Sequence, residues 1–213
     1  MHLAVFGASF DPPHNGHLAL SLFARELLGL DRILISVSNN PFKQHRGTSD
    51  GHRLRMAELL SLEINCTGAC SEVCGWELEK KQPSYTVDLL RYLHHLYPTD
   101  HLTLLVGEDS FREFSLWKEP DVLFSLCDIV VFSRASARQG TPLPATVQQK
   151  GSIKRIDFSS PLSSTLIRDC VAAGAPIAHL VPPSIYRYIM EHGLYRNPLD
   201  PATSTQVLKH RES

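Results

Sequence analysis

The sequence predicts an open α/β fold: a doubly wound parallel sheet of about five to six strands with helices on both faces. Three observations predict it. Short, almost unbroken apolar runs recur at residues 3–6, 32–37, 102–106 and 128–132, as strands covered on both faces require. Stretches with helical spacing of apolar residues separate them. The runs end on glycine or serine, at the carboxyl ends of strands, where open α/β sheets place their ligands.

The first run breaks at Gly7 into Gly-Ala-Ser-Phe-Asp-Pro-Pro-His-Asn-Gly-His and then into a helical pattern. A helix beginning near Asn15, with Asn15 as its N-cap, completes the first βα unit. The second strand, residues 32–37, ends in Ser38-Asn39-Asn40-Pro41. A helix over residues 51–62 follows, then a loop over 66–75 and a strand near 73–79. Pro83-Ser84-Tyr85-Thr86 precedes a helix over 87–96, whose apolar residues at 89, 90, 93 and 96 form one stripe; Ser84 or Thr86 would cap it. The strand at 102–106 ends in Gly107-Glu108-Asp109-Ser110, where Asp109 reads equally as a helix cap or as an acceptor for ribose hydroxyls or metal-bound water. Trp117, a few residues on, packs in the core or stacks on a planar ligand ring. The strand at 128–132 finishes at Ser133 and Arg134, and residues 135–151 read as a surface loop. A short strand at 153–156 leads to a helix headed by serines and Thr165, and a final helix over 184–192 follows Pro182-Pro183 and stops at Gly193. This organisation predicts one domain over residues 1–196 and a flexible tail over 197–213, with no internal repeat.

Composition narrows the function. The net charge of −1 gives no global field for nucleic acid or an acidic membrane, so any anion site must be local. No apolar run reaches the roughly eighteen residues of a membrane span, and no signal peptide opens the chain, so a cytoplasmic location is expected. The odd number of cysteines, 5, argues against a disulfide framework. Cys66, Cys70 and Cys74 are spaced C-x-x-x-C-x-x-x-C, which matches neither structural zinc nor iron–sulfur ligation, and no protein-bound metal is expected.

The chemistry concentrates at the first helix. A helix N-terminus favours an anion through its unpaired N–H groups and its dipole. His14 and His17, three apart, bring both rings to that end, where they can donate to one polyphosphate. Beside a polyphosphate an imidazole gains proton affinity, so a charged donor is expected. Gly7, Ala8 and Ser9 let backbone N–H groups approach a ligand, and Gly16 keeps Cβ bulk out of the gap between the imidazoles. Arg168 lies one turn along the helix headed by Ser164 and Thr165 and makes a second anion site. Lys43, His45 and Arg46 offer cations after the second strand. Neither a Walker loop nor G-x-G-x-x-G is present.

Taken in order, these stretches resemble the nicotinate-nucleotide adenylyltransferases, H-x-G-H nucleotidyltransferases of Rossmann-like fold. The matching stretches are G-A-S-F-D-P-P-H-N-G-H, N-N-P-F-K, P-S-Y-T, G-E-D-S with Trp117, Arg134, L-S-S-T-L-I-R and V-P-P-S-I-Y-R-Y-I-M-E-H-G-L-Y-R, spread over residues 3–196. The resemblance implies transfer of AMP from ATP to nicotinate mononucleotide, giving deamido-NAD and pyrophosphate, with Mg²⁺. It implies that Gly7, Ala8, Ser9 and Phe10 line ATP by backbone contacts and that His14 and His17 hold its phosphates. Gly107 and Asp109 would contact adenosine, with Arg134 nearby, and Ser164, Thr165 and Arg168 would grip the β- and γ-phosphates. Asn40, Lys43, Tyr85, Thr86 and Trp117 would form the acceptor side, with the tryptophan on the pyridine ring. Two departures stand out: Ala8 where many members have a second glycine, and Phe42 where many have a histidine, a place His45 would fill.

The implied reaction needs no protein nucleophile, because the acceptor phosphate is already anionic; positioning and charge stabilisation carry it. Three other readings are distinguishable. A nucleotidyltransferase with pantetheine phosphate, nicotinamide mononucleotide or a cytidylyl donor would differ in acceptor or donor. A synthetase-like ligase would need a lysine-rich second signature and a tRNA-binding extension, which the sequence lacks. A non-catalytic regulator would bind ATP without releasing pyrophosphate. The sequence is compatible with a homo-oligomer.

Overall fold

Six parallel strands form the centre of the molecule, and their neighbours follow from the chain's alternation of short apolar runs and amphipathic helices. In the computed structural model residues 1–39, 47–80, 82–133 and 153–197 are described. The elements are β1 (His2–Ala8), α1 (Asn15–Leu28), β2 (Arg32–Val37), α2 (Asp50–Asn65), β3 (Ser71–Cys74), α3 (Trp76–Glu79), α4 (Thr86–Leu96) and β4 (His101–Gly107). They continue with α5 (Glu108–Phe111), a 3-10 turn (Phe114–Leu116), α6 (Pro120–Leu126), β5 (Asp128–Ser133), β6 (Ile153–Asp157), α7 (Ser164–Ala172) and α8 (Pro183–Glu191). The strand order is β3-β2-β1-β4-β5-β6, and every neighbouring pair is parallel. The direction of winding reverses between β1 and β4, so a crevice opens at their carboxyl ends.

Period-two alternation splits the core into two layers. Ala4, Phe6, Ile33 and Ile35 face α1, α2, α7 and α8, packing with Ala24, Met56, Ile167 and Ile185. Leu3, Val5, Leu34 and Leu104 face the other way, against Val87 and Leu90 of α4 and Phe114 and Leu123 beyond β4. Helices thus cover both faces, as the sequence predicts.

Four local expectations are corrected. The third strand is Ser71–Cys74, within the expected cysteine loop, and residues 76–79 turn into helix. Pairing of Ile33 to Ser36 with Ser71 to Cys74 sets that strand. It ends where Glu77 turns inward to buried hydroxyl partners. The N-cap of α1 is His14, in extended conformation (φ −145°), because Asn15 is drawn into the first turn by its bonds to the Leu180 and His179 carbonyls. Neither Ser84 nor Thr86 caps α4: the cap is Tyr85, and the Ser84 hydroxyl donates to Glu77 instead. Asp109 does not cap α5; Gly107 holds that position and Asp109 lies inside the helix, exposed. All five cysteines are free thiols, and Cys70 is buried with Arg25 Nη1 3.1 Å from its sulfur. Asn40, Phe42, Lys43, His45, Arg46, Arg134 and the loop at 135–151 lie outside the described residues.

Candidate active site

The loop from β1 to α1 builds the first wall. Phe10 takes a left-handed backbone conformation (φ 49°) and buries its ring edge-on against Phe6 and 5.2 Å from the His17 ring. His14 then caps α1, and its backbone N–H donates to Nδ1 of His17 at 3.1 Å. In a neutral His17 this bond leaves the proton on Nε2. The two rings lie 3.8 Å apart, centroid to centroid. His14 is buried, its Nδ1 has no partner among the described residues, and burial lowers its pKa to about 4. Burial alone therefore favours the neutral imidazole of His14 at pH 7. A Cβ on Gly16 would come 2.9 Å from His14 Nδ1 and 2.5 Å from Ser160 Oγ, so the space it protects lies between His14 and Ser160 rather than between the imidazoles.

The head of α7 faces this loop and is bonded to it. Ser163 caps the helix by accepting the Leu166 N–H at 3.1 Å. The Ser164 hydroxyl donates to the Pro12 carbonyl at 2.8 Å. Arg168 donates from Nη1 to the Asp11 carbonyl at 2.7 Å and from Nη2 to the Thr165 hydroxyl at 3.1 Å. The Asp11 carboxylate is buried and accepts the Tyr195 hydroxyl at 2.8 Å. The two helix heads thus present their N-termini to a common space.

That space is a cavity of about 860 Å³. Of the residues singled out from sequence, Gly7, Ala8, Ser9, His14, Gly16, His17, Gly107, Asp109, Ser164 and Thr165 line it. A second cavity of about 340 Å³ lies over the other layer of the core, and Thr86 and Trp117 line it. The cavities share Gly7, Gly107 and Ser110; at the two glycines, at the ends of β1 and β4, an added Cβ would meet no atom within 4 Å. Three predicted residues do not line either cavity. Phe10 contributes its turn rather than its ring, Arg168 is bonded to the loop through the Asp11 carbonyl, and Tyr85 lies under the Lys118 ammonium, 5.1 Å from the ring centroid. Asn40, Lys43, His45 and Arg134 fall outside the described residues.

The structure adds residues that sequence reasoning missed. Glu77 is largely buried and lines the smaller cavity, with hydroxyls of Ser36 and Ser84 each donating to it at 2.7 Å. Arg53 is fully enclosed in α2. One signal for Arg53 was available: it sits on the buried stripe shared with Met56, Ala57, Leu60 and Ile64, where a charge is out of pattern. Glu77 gave none, lying in a four-residue helix too short for periodicity.

An anion-binding crevice at the switch point of a parallel sheet, with H-x-G-H at one helix head and serine and threonine at another, defines a nucleotide-transfer class of site. Residues 5–170 match the model of the cytidylyltransferase-like family. A protein of Pelodictyon phaeoclathratiforme named "probable nicotinate-nucleotide adenylyltransferase" is 64% identical over 100% of both chains. One of Chlorobium limicola with the same name is 56% identical over 92% of this chain and 99% of its own. The chain belongs to the nicotinate-nucleotide adenylyltransferases within that family. Among solved structures, a Plasmodium falciparum nicotinic acid mononucleotide adenylyltransferase complexed with NaAD shares the fold. Its TM-score is 0.72 at 19% identity, over 91% of this chain and 97% of that one. The same enzyme complexed with APC gives a TM-score of 0.71 at 18% identity, over 91% and 96%.

Proposed function

We propose that the chain transfers AMP from ATP to nicotinate mononucleotide, forming deamido-NAD and pyrophosphate. The observation that carries this reading is the pair of cavities meeting at Gly7 and Gly107, one walled by two helix N-termini and the other by Thr86 and Trp117. ATP occupies the larger, with its phosphates at the heads of α1 and α7, where His14, His17, Ser164 and Thr165 line the space. The mononucleotide occupies the smaller, its pyridine ring on Trp117. The family resemblance assigns Asn40, Lys43 and His45 to the acceptor and Arg134 to adenosine, all outside the described residues.

An oxygen of the acceptor phosphate attacks the α-phosphorus, the bond to the β-phosphate oxygen breaks, and pyrophosphate leaves. Charge grows on the α-phosphoryl oxygens and the leaving group, and donors already in place offset it. His17 offers its Nε2 proton, while Arg168 keeps the Asp11–Pro12 segment against α7 and reaches the terminal phosphates by releasing Thr165. The polar side chains lining the larger cavity are mainly hydroxyl and imidazole groups; of its two carboxylates Glu108 is paired with Arg155 and Asp109 is exposed, so Mg²⁺ would enter on the phosphates of ATP as part of the substrate.

The five free cysteines support a cytoplasmic, reducing location, and no helix among the described residues is long and apolar enough to cross a membrane. We read residues 1–196 as one catalytic domain, with 197–213 as a tail and self-association compatible with the fold. Purified protein given ATP and Mg²⁺ with nicotinate mononucleotide, nicotinamide mononucleotide or pantetheine phosphate is expected to release pyrophosphate fastest with the first. Release only with another acceptor, or none with any, would overturn the reading.

A further inference from the structure

The peptide linking Ser38 to Asn39 lies between two buried ions of opposite charge. Its carbonyl accepts from Arg53 Nη1 at 2.9 Å, and its N–H donates to Glu77 Oε2 at 3.2 Å. The same Nη1 also donates to the Ser9 carbonyl at 3.1 Å, on the loop that walls the ATP cavity. Glu77 Oε2 also accepts the Ser84 hydroxyl at 2.7 Å, two residues before Thr86 in the acceptor wall. A continuous chain of charge-assisted hydrogen bonds therefore runs from Ser9 through Arg53, the 38–39 peptide and Glu77 to Ser84. It joins the loops of both substrate cavities without passing through either substrate.

The ion pair that Arg53 makes is unequally exposed. Arg53 is 0% exposed, and its ion-pair partner Asp50, at 2.6 Å, has a side chain 51% exposed. Its Nε has no partner among the described residues. Such an ion is costly unless its contacts are needed, and its removal strands two enclosed carbonyls. Core packing alone would be better served at position 53 by an apolar residue like its stripe neighbours Met56 and Leu60. Each member also fixes a peptide orientation: with the Ser9 carbonyl turned inward to Arg53, the next N–H, on Phe10, is turned away from it, toward the loop's other side.

We propose that Arg53 and Glu77 are positioning residues that couple the two substrate cavities, so that ordering of the Ser9 loop by ATP orders the 38–39 peptide and the Ser84–Thr86 wall for the acceptor. The inference rests on the proposed function, and the test separates the two. The dissociation constant of nicotinate mononucleotide is measured by calorimetry without and with saturating α,β-methylene ATP, a non-transferring analogue, for the wild type, R53K, R53M, E77Q and the double variant R53M/E77Q.

In the wild type the analogue should tighten mononucleotide binding by about tenfold, within the usual range of site coupling. R53M should bring that ratio below about twofold, and R53K, which keeps the charge but cannot fork, should fall between. The double variant should lose no more coupling than R53M, since both act on one peptide. A ratio that stays at the wild-type value in folded R53K and E77Q, with affinities and melting temperature falling together, would make the chain merely structural and overturn the proposal. Wild-type protein that binds both ligands without tightening would overturn it alone; wild-type protein that binds neither would overturn the functional reading with it.

Discussion

Nδ1 of His17 accepts the backbone N–H of His14 at 3.1 Å, so the residue that caps the first helix also orients the ring that follows it by one turn. This bond assigns the donor nitrogen of His17. If Nε2 acts as a preorganised donor to the reacting phosphates, His17→Ala should cost about 3 kcal/mol, roughly a hundredfold or more in kcat/KM for adenylyl transfer. Initial rates of pyrophosphate release check it, and an unchanged kcat/KM in a folded variant would remove His17 from the reaction.

His14 makes stability depend on pH. Its folded pKa is lowered to about 4 by burial, against an ordinary 6.5, so between those values the unfolded chain binds the extra proton. The contribution is present above about pH 6.5 and is lost as pH falls toward 4. Urea unfolding of ligand-free protein should show about 2 kcal/mol less stability at pH 5 than at pH 7 from this group, a difference absent in His14→Gln. Equal pH sensitivity of the two proteins would contradict the buried neutral imidazole.

Tyr195, at φ 63°, carries a strained backbone to bring its hydroxyl to Asp11, and burial with that carboxylate pushes its pKa up. It stays a donor throughout the working range. Tyr195→Phe leaves a buried carboxylate oxygen short of a donor and should lower stability by about 1–3 kcal/mol. Because Arg168 holds the same residue's carbonyl, kcat should fall as well. Denaturation midpoints paired with steady-state kinetics test it, and a wild-type midpoint would show the contact to be dispensable.

Trp117 lines the smaller cavity with its ring 5.3 Å from Phe114. A stacking contribution of about 0.5–1.5 kcal/mol predicts that Trp117→Ala raises the KM for nicotinate mononucleotide roughly 2- to 13-fold. The KM for ATP should stay within about twofold, and Trp117→Phe should restore part of the loss. A parallel rise in both KM values would assign the tryptophan to packing.

The parallel sheet and the position of the histidine pair were legible because they rest on local signals: strand runs such as residues 3–6, and a helix start that follows one directly. The corrections fall where tertiary partners decide. Asn15 has the chemistry of a cap, yet the carbonyls of His179 and Leu180 take it into the helix and leave the cap to His14. Ser84 likewise gives its hydroxyl to Glu77, from a segment that sequence reads as strand. The spacing of Arg168 reports its place on the face of Thr165, but its bond to the Asp11 carbonyl joins residues distant in sequence, and no periodicity reports that. Long-range bonds to single residues are what pattern reading cannot supply.

The meeting of the two cavities at Gly7 and Gly107 has a consequence for the end of the catalytic cycle. On the proposed assignment of the cavities, a dinucleotide made there would straddle the sheet, with one base over each layer of the core. It is held as a bivalent ligand, and either half can rebind while the other stays seated. Pyrophosphate, held on one side only, has no such tether. On that reading the order of departure would follow the shape of the sheet: the inorganic fragment first, the dinucleotide only after both faces have let go.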